Sequence, residues 1–224
     1  VPIRNIIFDW SGTLVDDLPA VLAATNHVFA KHGLEPISRE RFRAEFSLPF
    51  KGFYDRYCPQ IPIEELEVAF HGHIRTQNAF VEELPHARDF LIFCHANKLR
   101  TFVLSAVHAE HYAAQIAVNK FDAYIDRPYV AVWDKRLKIL DILAENQLAP
   151  NETLFIGDMQ HDIDTAKHGG VFSCAVLTGY NRIEQLRASQ PDLIVEHLGE
   201  LRAVLEQGQC NFLPASTLHR VNKK

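Results

Sequence analysis

IIFDWSGTLVDD, Ile6 to Asp17, changes character at its fourth residue. Three apolar side chains run into Asp9, and Gly12 and Thr13 follow soon after. Together with Ile3 in IRNIIF, the apolar run predicts a strand buried on both faces of a parallel sheet. The small residues after it allow a tight turn, which leaves Asp9 at the C-terminal mouth of the strand. A carboxylate there can be a nucleophile, since attack on phosphorus or carbon forms a covalent intermediate.

The same grammar recurs along the chain. TFVLS (101–105) follows the helical HARDFLIFCHANK, and TLFIGD (153–158) follows RLKILDILAENQL. FSCAVL (172–177) follows DIDTAKHGG, whose paired glycines suit a helix C-cap. DLIVE (192–196) precedes a last helix near 198–206. Strands alternating with helices predict an α/β fold, a doubly wound parallel sheet. Ligands of such sheets sit beyond the C-terminal strand ends, where Asp9, Ser105 and Asp158 converge from three strands.

Residues 17–84 break the alternation. AVLAATNHVFAKHG stops at Gly33, SRERFRAEF offers Ser38 as an N-cap, and IEELEVAFHGHIRTQNAF has helical spacing. The expected organisation is a core of residues 1–16 and 85–206, an inserted helical cap at 17–84 and a tail at 207–224. A helical lid over a strand-end crevice excludes water and carries specificity contacts.

A length of 224 residues suffices for one large domain with an insertion. A net charge of −5 with no basic run argues against a nucleic-acid partner. Cys58, Cys94, Cys174 and Cys210 form no CxxC pair, so a reducing, cytoplasmic setting is expected rather than a disulfide framework. No apolar run approaches a membrane span and no secretory leader is evident. Oligomeric state is not readable.

DWSGTLVD, LSA, a downstream lysine and GDMQHD resemble, in order, the four motifs of the haloacid dehalogenase superfamily. The likeness covers nearly the whole chain and is closest to the phosphoglycolate-phosphatase-like branch with a helical cap. It implies hydrolysis of a small phosphorylated metabolite through a phosphoaspartate at Asp9. It also implies Mg²⁺ held by Asp9, the Ser11 carbonyl and Asp158. Ser105 would hold phosphoryl oxygens, and Asp162 would support the metal waters or orient the lysine. Lys135 opens the helix in VWDKRLKIL and is the favoured lysine; Lys138 reads as a solvated helix residue, and Lys120 is more distant.

Ser11 stands where the resemblance implies a second aspartate, the group that protonates the leaving oxygen. A serine hydroxyl does not ionise near pH 7 unaided, and general acid–base help is worth about 10²–10⁴-fold. A slow phosphatase is one expectation. DWSGT is also similar to the DWAGT of phosphonoacetaldehyde hydrolases, which makes Lys51 in FSLPFKGF a candidate Schiff-base lysine. A weakly catalytic protein that binds a phosphometabolite is a third reading. Phe50 is a candidate substrate contact. Phe53, Tyr54 and Tyr57 read as cap core, and Trp10 as packing beside the nucleophile loop. Asp16 and Asp17 read as structural hinge residues, and the pairs His71/His73 and His108/His111 as helix surface.

Overall fold

The computed structural model describes residues 1–212. Six parallel strands form one sheet: β1 (Asn5–Phe8), β2 (Arg100–Leu104), β3 (Arg127–Tyr129), β4 (Thr153–Gly157), β5 (Phe172–Val176) and β6 (Leu193–Val195), in the order β3-β2-β1-β4-β5-β6. β1 is central, with Ile7 in register with Phe102 on one side and Phe155 on the other.

Strand periodicity divides the core. Ile6 and Phe8 face the side that carries α5 (Ala87–Ala96) and α10 (Leu198–Gln207), packing with Phe90, Leu91, Leu201 and Leu205. Ile7 points the opposite way, onto Ile139 and Ile142 of α7 (Arg136–Glu145) and Ala166 of α8 (Gln160–Gly169). Alternate residues of one strand therefore serve two apolar layers. Gly170 closes α8 in the left-handed conformation at φ +65°, a position where glycine carries no Cβ penalty. The remaining core helices are α6 (Ala109–Asn119) and α9 (Ile183–Ala188).

Between β1 and α5 lie α1 (Leu18–Lys31), α2 (Arg39–Glu45), α3 (Lys51–Tyr57) and α4 (Ile63–Ile74). α1 packs on α4, and an aromatic cluster joins the rest, with Phe53 edge-on to Phe42 at 5.5 Å. Phe53 and Tyr54 are buried in it and Tyr57 half-buried. Ser38 Oγ accepts the Arg41 N–H at 3.2 Å and starts α2. α2 is latched to the core. Arg43 donates to the carbonyls of Tyr180 and Asn181 at 3.1 and 2.9 Å, and Arg182 donates to the Glu40 carbonyl at 2.6 Å.

The structure differs from the sequence reading at several points. The strand β3 was not expected; it is a three-residue edge strand containing Pro128, which lacks the N–H an inner strand needs. α4 stops at Ile74 rather than running to Phe80, where the Thr76 hydroxyl turns back to the His73 carbonyl at 2.7 Å. Of the tail, residues after 212 lie outside the described residues. Phe212 is buried and its N–H bonds to the Val1 carbonyl at 2.8 Å. The four cysteines are unpaired, and among the described residues no helix is long and apolar enough to cross a membrane.

Candidate active site

Asp9, Ser105 and Asp158 each sit one residue beyond a strand, at the ends of β1, β2 and β4. Three adjacent strands thus deliver them to one place. Lys135, at the start of α7, projects a fully buried ammonium between two acids, 2.9 Å from Asp9 Oδ2 and 2.6 Å from Asp162 Oδ1. The other oxygen of Asp162 accepts the Met159 N–H at 3.0 Å, so one carboxylate both caps α8 and holds the lysine. His161 Nε2 accepts the Lys135 backbone N–H at 3.1 Å. Asp158 is held by the Thr13 hydroxyl at 3.1 Å and the Tyr180 N–H at 2.6 Å. Gly12, at φ +70°, lets the loop pass: a Cβ there would come within 2.6 Å of Asp158 Oδ2.

Asp9, Asp158 and Asp162 are buried, with carboxylate oxygens within 4.8 Å of one another. Burial pushes the Asp9 carboxyl up; Lys135 opposes this, and Asp162 adds to it. Asp158 is pushed well above the usual carboxylate range by burial and then by repulsion from Asp9 and Asp162. Burial alone lowers the Lys135 ammonium, but attraction to Asp162 and Asp9 outweighs it and leaves it raised. With all three carboxylates ionised against one ammonium, the formal excess is two negative charges. Hard oxygens with that excess suit a divalent cation of the Mg²⁺ type.

Ser11 and Asp17 form a second unit. Ser11 Oγ donates to Asp17 Oδ2 at 2.6 Å, and the Tyr180 hydroxyl donates to Asp17 Oδ1 at 2.9 Å. Asp17 precedes α1 but makes no side-chain cap bond to it. Its reading as a hinge residue is therefore corrected: the side chain is buried in the cavity wall, spent on Ser11 rather than on the helix. Burial raises its carboxyl to about 7; the bonds from Ser11 and Tyr180 oppose that rise, and Asp9 and Asp16 reinforce it. Nothing in the pair Asp16–Asp17 distinguishes the inward acid from the outward one.

Asp9, Ser11, Asp17 and Ser105 open onto a cavity of about 140 Å³ that continues between core and inserted helices. Its walls include Phe46, Leu48, Phe50, Leu66, Phe70 and Trp133. Phe50 lies here as a candidate contact should, 4.7 Å from Trp133 ring to ring. Lys51 does not: its exposed ammonium pairs with Asp55 at 2.6 Å, one helical turn along α3. Lys138 pairs with Asp141 and Glu145, and Lys120 ends α6 in the left-handed conformation. The surface reading of His71 and His111 is also corrected, while His108 remains exposed at the cavity rim. His71, His108 and His111 line the cavity, and His111 is buried with its two ring nitrogens bonded to Asn78 and His71. Trp10 is buried, edge-on to Tyr112 at 4.7 Å.

Comparison with known proteins agrees with this architecture. The chain is 24% identical to the pyrophosphatase PpaX of Anoxybacillus flavithermus, over 91% of this chain and 97% of that protein. It is 25% identical to the phosphoglycolate phosphatase of Vibrio parahaemolyticus, over 91% and 96%. A haloacid dehalogenase-like hydrolase from Streptococcus pneumoniae superposes with a TM-score of 0.82 at 21% identity, over 91% of this chain and 98% of that one, a likeness of fold. The family model for haloacid dehalogenase-like hydrolases matches residues 6–176, a span that runs from β1 through β5 and includes Asp9, Ser105, Lys135 and Asp158. With most of its length inside that match, the chain belongs to the haloacid dehalogenase-like hydrolase family.

Proposed function

We propose that the chain is a Mg²⁺-dependent hydrolase of small phosphomonoesters, with Asp9 as nucleophile. The observation that carries this is the buried carboxylate group around Asp9, balanced by one lysine and open to a closed-in cavity. Asp9, Asp158 and the Ser11 carbonyl would hold the ion, and it would supply charge neutralisation at the phosphoryl oxygens.

The residues of the chain divide the remaining work. An Asp9 oxygen forms a bond to phosphorus while the bond from phosphorus to the leaving oxygen breaks, and the electron pair stays on that oxygen. Lys135 holds Asp9 in place and offsets charge, and Ser105, one residue beyond β2 on the cavity wall, would hold phosphoryl oxygens. The leaving oxygen needs a proton. The carboxyl bonded to Ser11 is Asp17; with Asp17 protonated that bond reverses, the Ser11 hydroxyl gives its proton to the leaving oxygen, and Asp17 gives its proton to Ser11. Water then cleaves the acyl phosphate and returns a proton along the same route. In this way a serine stands in for a second acid by being bonded to one.

The C–P cleavage reading needs Lys51 in the cavity; its pairing with Asp55 on the outer surface gives that reading no support. The test is phosphate release from p-nitrophenyl phosphate. It is expected to need Mg²⁺, to vanish in Asp9→Asn, and to fall about 10²–10⁴-fold in Asp17→Asn. An Asp9→Asn protein that keeps its rate removes the nucleophile and the mechanism with it.

A further inference from the structure

The cavity carries charge of one sign. Its charged lining residues are Asp9, Asp17 and Glu67, and among the described residues no lysine or arginine lines it. Arg43, on the inserted helix α2, is bound to two backbone carbonyls and is absent from the wall. Lys135 is enclosed between Asp9 and Asp162.

His71 and His111 add no cation, because a chain of hydrogen bonds with one allowed direction runs beneath them. The Trp10 indole can only donate, so its Nε1 bond of 2.7 Å takes Gln115 by its oxygen. The Gln115 amide nitrogen then donates to Asn78 Oδ1 at 3.1 Å. That leaves the Asn78 nitrogen to donate to His111 Nδ1 at 2.9 Å. His111 therefore keeps its proton on Nε2 and donates to His71 Nδ1 at 2.8 Å. His71 carries its own proton on Nε2. A second proton on His71 would set two N–H groups against each other. His108 Nδ1 accepts the Glu110 N–H at 3.3 Å at the start of α6. Gln115, Asn78 and His111 are all buried, which removes water as an alternative partner.

We propose that the substrate joins its phosphate to an uncharged, largely apolar organic group about the size of one ring or a branched alkyl chain. This rests on the phosphomonoesterase reading above and narrows it. A cavity of about 140 Å³ that also includes Asp9, Ser11 and Ser105 must hold the phosphoryl group as well, so by comparison with the roughly 150 Å³ apolar cavity that admits benzene the organic part is limited to one ring at most. Phe46, Leu48, Leu66, Phe70 and Ile74 provide the apolar surface for such a group. The His71 Nε2–H, which the chain of bonds leaves over, suits an ester or hydroxyl oxygen. A carboxylate or a second phosphate on the substrate finds, among the described residues, no lysine or arginine on the wall to pair with, so the chain is expected to discriminate against phosphoglycolate and pyrophosphate.

The test separates binding from turnover. The full chain with Mg²⁺ is titrated calorimetrically with benzylphosphonate and with phosphonoacetate, neither of which has an ester bond to hydrolyse. Benzylphosphonate is expected to bind at least about tenfold more tightly, and benzyl phosphate to exceed phosphoglycolate and pyrophosphate in kcat/KM by a similar factor. Phosphonoacetate binding equally or better, or benzylphosphonate failing to bind, overturns the proposal. If benzylphosphonate binds more tightly but no ester releases phosphate, the ligand class stands and the hydrolytic reading falls. Phe70→Arg, at a half-buried wall position, is expected to reverse the binding preference by supplying the missing cation.

Discussion

Lys135 concentrates the chemistry of the site in one side chain. Its ammonium is fully buried and has Asp9 and Asp162 as its two charged partners. Removing one member of a buried ion group leaves uncompensated charge, at about 3–5 kcal/mol. Lys135→Met is therefore expected to lower the unfolding free energy read from urea titration by that order as well as abolish activity; a value equal to wild type would show that the acids are not stabilised by it. The placement of Lys135 rather than Lys138 near Asp9 follows from position: the N-cap of α7 stands beside the strand ends, while three residues on the helix has turned toward Asp141 and Glu145. Asp17 was not legible. Its role depends on Tyr180, 163 positions away, whose hydroxyl fixes the same carboxylate as Ser11 does.

The helices α4 and α6 meet through His71 and His111, and that contact has a pH signature. Burial, followed by the nearby His71 and His108, lowers His111 to about 4. Burial and then Lys135 lower His161 to about 4. A histidine whose folded pKa is depressed stabilises the fold above its unfolded value near 6.5, and that contribution is lost as pH falls toward 4. Asp9, Asp17 and Asp158, raised on folding, act in the opposite sense. A difference measurement isolates the histidine: the stability gap between wild type and His111→Gln is expected to shrink between pH 7 and pH 5. A constant gap means that His111 is not neutral in the fold. These histidines escaped the sequence reading because their partners lie on other elements, whereas Asp9 and Asp158 announced themselves by ending apolar runs. The edge strand β3 was hidden for a local reason, since RPY has neither length nor alternation.

Taken together, the parts form a protein that folds around a charge excess. The sheet order brings β1 and β4 side by side, and with them Asp9 and Asp158. A dication bound only by the native state stabilises it by RT ln(1 + [L]/Kd), about 2.7 kcal/mol at a hundredfold excess over Kd. Mg²⁺ is thus expected to raise Tm by about 5–10 °C at that excess. Asp158→Asn is expected to raise the metal-free Tm by relieving repulsion and to erase most of the Mg²⁺ increment. Scanning calorimetry with and without EDTA reads both, and an unchanged increment in the variant would move the ion elsewhere.

Arg43 reaches from α2 to the carbonyls of Tyr180 and Asn181, while the Tyr180 N–H steadies Asp158 and its hydroxyl steadies Asp17. The roof helix and the floor carboxylates therefore share a hinge pin. α2 swings outward only by surrendering the Arg43 and Arg182 bonds or by tugging the segment that keeps those two acids aimed. Opening the roof and unsettling those acids are therefore one mechanical act, and an ion held by Asp158 would be gripped less firmly in a gaping form.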